Sequence, residues 1–143
     1  MGIIVHGRRR RRLQHDTTGA TIVEFALTAP LFLMILLGLF AYGGYYWRAH
    51  SLQQVANDAA RAAIAGLTPP ERAAIAQSVV ASETVSLAGI ARSRPSVAVS
   101  ESGESVRVDV SYDATRDIFF SLRMVPLPEP VIRRSAVVRM GGL

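Results

Sequence analysis

The sequence predicts an α+β fold: a long N-terminal transmembrane helix continuing into an amphipathic helix, a second helix, then a small antiparallel sheet. Three observations carry this. Phe25 to Trp47 is a run of 23 residues without a charge. Beyond it, Leu52, Val55, Ala56, Ala59 and Ala63 recur at spacings of three and four, the period of a helix with one apolar face. After Pro95 the period drops to two, in SVAVS and SVRVDVSYD, which is the pattern of half-buried strands.

The apolar run comes first. At about 1.5 Å per residue it reaches roughly 34 Å as a helix. A bilayer's hydrocarbon core is about 30 Å thick, so the run spans it with some tilt. A buried helix of a soluble protein would need a shell on all sides, which the rest of this chain is too short to supply. Tyr42, Tyr45, Tyr46 and Trp47 gather at the far end, where aromatic rings favour the headgroup level. Arg48 and His50 follow, at a depth where a charge can be hydrated.

Orientation comes from the charge distribution. All 16 basic residues are arginine, and five form one block, Arg8, Arg9, Arg10, Arg11 and Arg12. From Ala20 onward, 11 arginines face 10 carboxylates, so the body is almost neutral and the basic character belongs to the leader. A basic block just before a spanning helix is a topology signal that keeps the N-terminus in the cytoplasm. Nucleic-acid binding would want arginines spread over a folded face with aromatic partners, so it is set aside. The expected organisation is a basic leader over 1–19, a transmembrane helix over 20–47 and an exported α+β domain over 48–143. The apolar core is too long for a removable secretory signal, and LFAYGGYYW offers no small-residue cleavage site.

In the exported part, the amphipathic helix is expected over about 48–65, with Gly66 ending it. TPPE restarts a helix over about 69–88: Thr68 can cap, prolines tolerate the first turn, and Glu71 completes a Thr-x-x-Glu pattern. Strands are expected over about 96–100, 105–112 and 131–140, with ESGES as the turn between the first two. Val106, Val108, Val110 and Tyr112 share one face, and the amphipathic helix is the natural cover for it. DIFFSLRMVPLPEP, broken by three prolines, is expected to be a loop or irregular edge, more core than partner surface.

The chain offers no catalytic constellation. There is no cysteine, so disulfides, thiolate metal sites and cysteine nucleophiles are excluded. His6, His15 and His50 are scattered, and there is no Gly-rich phosphate loop. Asp109, Asp113 and Asp117 are four apart but fit a solvated face better than a calcium site. No enzyme activity, metal, cofactor or small-molecule substrate is expected.

Glu24 is the carboxylate that needs explaining. It stands at the mouth of the apolar run. With Thr21 as N-cap, TIVE reads as a capping box, which accounts for an acid at a helix start. The wider string says more: a basic leader ends in Gly19, then come Ala20, Val23, Glu24, Phe25, Ala26, Pro30, Leu36, Leu37 and Gly38, followed by the alanine-rich LQQVANDAARAAIAG. This is similar to the start of TadE-like proteins, minor pilins or pseudopilins of the tight-adherence (Flp-type) pilus machinery, with a type IV pilin-like N-terminus. The resemblance covers about residues 17–66.

The resemblance implies a pilin-like fold and cleavage between Gly19 and Ala20 by a membrane prepilin peptidase on the cytoplasmic side. Glu24 then becomes the fifth residue of the cut chain. The new α-amino group of Ala20 is mostly protonated at neutral pH. Residues i and i+4 share a helix face, so Glu24 would sit beside that amine or beside the amine of a neighbouring subunit. The implied setting is the bacterial inner membrane, single-pass, with a periplasmic domain that reaches the exterior if built into a pilus. The implied partners are the peptidase, other minor pilins and the major pilin. Pro30 cannot donate to the Ala26 carbonyl, so a bend or loosening is expected there; such prolines are generally tolerated in spanning helices. The rival reading is an uncleaved single-pass anchor whose periplasmic domain binds an envelope or secretion component.

Overall fold

The computed structural model describes residues 17–86, 93–121 and 126–141. The leader arginines Arg8 to Arg12 lie outside these residues, as do residues 87–88 at the expected end of the second helix. Along the chain the elements are α1 (Thr17–Ala63), α2 (Pro69–Ser86), β1 (Ser96–Ser102), β2 (Ser105–Asp113), α3 (Ile118–Ser121) and β3 (Val131–Arg139). This is the α+β order the sequence predicts, with three strands. The chain divides into two compact units, Met1–Ile35 and Leu36–Leu143.

The first unit contributes the apolar start of α1. Its large side chains are uncovered: Phe25 is 71% and Leu27 73% exposed. The described residues hold one helix long and apolar enough to cross a membrane, and none of its most apolar window is buried. That removes the reading of a core helix in a soluble protein. Pro30 stands inside α1, which continues on both sides of it.

Thr21 corrects the capping-box expectation. Residues Thr17 to Ala20 are already helical, so Thr21 lies inside α1 and cannot be its N-cap. Glu24 is likewise beyond the first turn of α1 as it stands here.

The second unit has one core. Ala49, Leu52, Val55, Ala56, Ala59, Ala60 and Ala63 of α1 are buried together with Ala76 and Val80 of α2. The same core holds Val106, Val108, Val110 and Tyr112 of β2, and Ile132 and Ala136 of β3. Burying each Val, Leu or Ile contributes roughly 1.5–3 kcal/mol. The alanines leave room for close helix approach.

The sheet is an antiparallel meander in the order β1-β2-β3, with β2 central. Alternation along β2 buries the even residues against the helices and turns Arg107, Asp109 and Ser111 to the other face. The β1–β2 turn is two residues, Gly103 and Glu104. Gly103 has φ +58° and no non-glycine residue among those described has positive φ, which is the II′ pattern. Glycine at that position carries no Cβ penalty.

Gly66 departs from the expected helix stop. It does not adopt positive φ, so it is not a left-handed cap. The helix closes through short turns, with Ile64, Ala65 and Gly66 N–H donating to the carbonyls of Arg61, Ala62 and Ala63. Glycine is needed at 66 for another reason: a Cβ there would lie 2.7 Å from the Arg72 backbone nitrogen. The first turn of α2 packs directly on it. Glu71 also differs in detail. Its Oε2 accepts the Leu67 N–H at 2.9 Å, one residue before the Thr68 N–H that a capping box would use.

Candidate processing and assembly site

The candidate site lies along α1, and its first residues are accessible. Gly19 and Ala20 are exposed, and beyond its chain neighbours and the backbone of its own helix no described atom lies within 4 Å of where a Gly19 Cβ would stand. Glu24 and Phe25 are exposed on the same helix. The Glu24 carbonyl accepts the Thr28 hydroxyl at 2.9 Å. Pro30 offers no N–H to the carbonyl four residues earlier, that of Ala26. Helix geometry puts Glu24 four residues, about one turn, beyond Ala20.

Further along, the aromatic residues divide by environment. Tyr46 and Trp47 are more than half exposed. Tyr42 donates its hydroxyl to the Pro126 carbonyl, and Tyr45 meets Phe120 edge-on at 6.3 Å between ring centroids. Phe120 belongs to the apolar stretch after β2 and packs against the core, as expected; Ile118 beside it is 65% exposed.

Arg48 corrects the expectation of a hydrated charge. It is 8% exposed, and its Nε lies 2.9 Å from Oδ2 of Asp117, itself 2% exposed. The Tyr112 hydroxyl donates to the other carboxylate oxygen, Oδ1, at 3.0 Å. Asp117 therefore leaves the solvated face to which its spacing assigned it. Burial first, and the Asp117 hydrogen bond second, push the Tyr112 phenol up to about 12. Asp113 is exposed, and its carboxylate accepts the Thr115 hydroxyl and N–H, which hold it below the usual carboxylate range. The loop that delivers Asp117 is closed by Asp117 N–H donating to the Ala114 carbonyl and Phe120 N–H to that of Asp117.

A second ion pair ties α2 to β1. Arg72 of α2 reaches Glu101 of β1, with Nε to Oε1 at 2.8 Å and Nη2 to Oε2 at 3.1 Å. Its Nη1 donates to the Gly66 carbonyl at 2.9 Å. The Arg72 hydrogen bonds hold Glu101 below the usual carboxylate range. Both pairs join residues far apart in sequence. Arg48 sits next to an aromatic cluster and Asp117 next to Ile118–Phe119–Phe120, and a charge beside apolar residues on both sides was the available signal.

Among the described residues, no group of three or more His, Asp or Glu side chains could hold a metal ion. The first unit offers exposed apolar surface; the second holds one buried ion pair, Arg48–Asp117, and one nearer the surface, Arg72–Glu101.

Residues 19–61 match the family model described as TadE-like protein. This segment is TadE-like. The match begins at Gly19 and ends two residues before α1 does, so α2 and the sheet lie outside it. Arg48 is inside the TadE-like segment, whereas Asp117 and Tyr112 are not. No curated protein and no solved structure matches the chain. The TadE-like family is a family of pilus components, and the segment points to a protein associated with the tight-adherence pilus. The single N-terminal apolar helix fits a single-pass membrane protein of such a system.

Proposed function

We propose that the chain is a TadE-like minor pilin, or pseudopilin, that contributes to assembly of a tight-adherence pilus and performs no catalysis. The observation that carries the reading is the family match starting at Gly19 on an uncovered apolar helix. The leader arginines hold the N-terminus in the cytoplasm. The prepilin peptidase cuts between Gly19 and Ala20, and the helix stays in the inner membrane with residues 48–143 in the periplasm. Other minor pilins and the major pilin are its partners.

In this reading the cut also changes the role of Glu24. With Ala20 as first residue, Glu24 becomes the fifth, much closer to the helix start, where a carboxylate suits the helix dipole. The new amine lies one turn away. At a low-dielectric boundary an unpaired carboxylate is costly, so it pairs with its own amine or with a neighbouring subunit's, which sets the stagger between helices. Pro30 leaves the Ala26 carbonyl open and is the point at which the helix can bend.

The test is complementation of a deletion strain. Loss of the gene should lower pilus number and surface adhesion. Wild-type chain should restore both, and Glu24→Gln should insert normally yet fail to restore pili. Normal piliation in the deletion strain, or full rescue by Glu24→Gln, contradicts the proposal.

A further inference from the structure

We propose that the outer edge of β1 pairs, antiparallel, with β1 of a second copy of this chain, about a two-fold axis at Ala98. The two edges of the sheet are treated differently. Met140 N–H donates to the Glu104 carbonyl and Ala114 N–H to that of Pro130, which extends the β2–β3 ladder at both ends. Hydrogen bonding alternates along antiparallel strands. In this register the even residues of β2 and β3 therefore bond each other, and the odd residues of β3 point outward.

Side chains cover two of those outward carbonyls. Gln53 Nε2 donates to Ser135 at 3.0 Å, and Arg134 Nη1 to Arg133 at 2.8 Å. Capping of this kind protects an edge from pairing with another chain.

Among the described residues, the opposite edge has no such cover. The odd residues of β2 bond the even residues of β1, so Val97, Val99 and Glu101 turn their backbone groups outward. Among the described residues, no hydrogen bond to the outward groups of Val97 or Val99 is formed. The strand contains no proline, and its first five residues carry no charge. Those are the devices that normally blunt an edge.

What singles out a second copy is the sequence of the strand. Residues 96–100 read SVAVS, the same in both directions. Antiparallel pairing about Ala98 sets Ser96 opposite the second copy's Ser100, Val97 opposite its Val99, and Ala98 opposite its Ala98. Val97 and Val99 already pack partly against the core, so the valines of two copies meet on one face of the joined sheet. The serines and alanines meet on the other. Ser96 already makes a cross-strand contact of this type, with its hydroxyl 2.7 Å from that of Ser111. Glu101 falls opposite Pro95 in this register, so no carboxylates confront each other.

Cysteine cross-linking of the full-length chain in membranes tests this, since the chain has no cysteine of its own. At the two-fold, Ala98→Cys forms a non-hydrogen-bonded pair with Cα atoms about 4.5 Å apart. That separation suits a disulfide. Mild oxidation should give a covalent dimer for Ala98→Cys and not for Val137→Cys, an exposed position on β3. Adding Ser96→Glu and Ser100→Glu to Ala98→Cys opposes like charges and should lower the dimer yield about fivefold. Ser96→Arg with Ser100→Glu opposes unlike charges and should restore it. A monomeric Ala98→Cys chain, equal dimer from Val137→Cys, or indifference to the charge pattern would overturn the pairing. The readout is the same whether or not the chain is cut at Gly19, so it stands or falls separately from the pilin assignment.

Discussion

Asp117 holds Arg48 where a lone guanidinium would be costly. Both are nearly buried, and Tyr112 donates to the other carboxylate oxygen. Removing one partner of a buried pair leaves an uncompensated charge. Asp117→Asn or Arg48→Met should therefore destabilise the folded region by roughly 3–5 kcal/mol, read by urea unfolding of detergent-solubilised chain. Removing both charges together, as Arg48→Met with Asp117→Leu, should recover most of that loss. Glu101 sets a pH dependence of the opposite accessibility, at the surface. Its folded-state pKa is depressed by Arg72, so its stabilisation is present above the unfolded value of about 4.3 and is lost as pH falls through the folded value. Asp113 acts in the same direction. Acid titration of unfolding should show this loss, and Glu101→Gln should flatten it. These partners were hidden in the sequence for a physical reason. An ion pair between residues 48 and 117 depends on a tertiary contact, whereas spacing reports only neighbours on the same element. Gly19, Ala20 and Glu24 could be proposed from sequence because their motif lies within one short stretch.

At the scale of elements, two glycines carry the connections for different reasons. Gly103 supplies the positive φ of the β1–β2 turn, so Gly103→Ala should cost about 1–2 kcal/mol. Gly66 supplies space for the backbone of Arg72, so Gly66→Ala should cost about 1–3 kcal/mol as α1 and α2 move apart. Thermal unfolding of the two variants checks both values, and loss of the Arg72–Glu101 pair should accompany only the second. Strand alternation was readable because Val106, Val108, Val110 and Tyr112 each obey a period of two. The helix restart at Pro69 was readable from Thr68, the two prolines and Glu71. The start of α1 was misread at Thr21: the capping-box pattern was present, but helix already preceded it. The short helix Ile118–Ser121 was also beyond reach, since four residues are too few to show a period.

For the molecule as a whole, the α+β order follows from three successive hydrophobic patterns along the chain. The TadE-like segment supplies the functional direction, and the sheet outside it supplies an edge that the segment does not predict. The central claim is that Gly19 marks a cut, so that the working protein begins at Ala20 with its spanning helix intact. Intact-mass and N-terminal analysis of the membrane-extracted protein tests this most directly, in cells with active prepilin peptidase and in cells carrying Gly19→Val. The account predicts a chain starting at Ala20 in the first and a chain retaining the arginine leader in the second. A wild-type protein that still carries Arg8 to Arg12 would contradict it and would favour the uncleaved single-pass anchor.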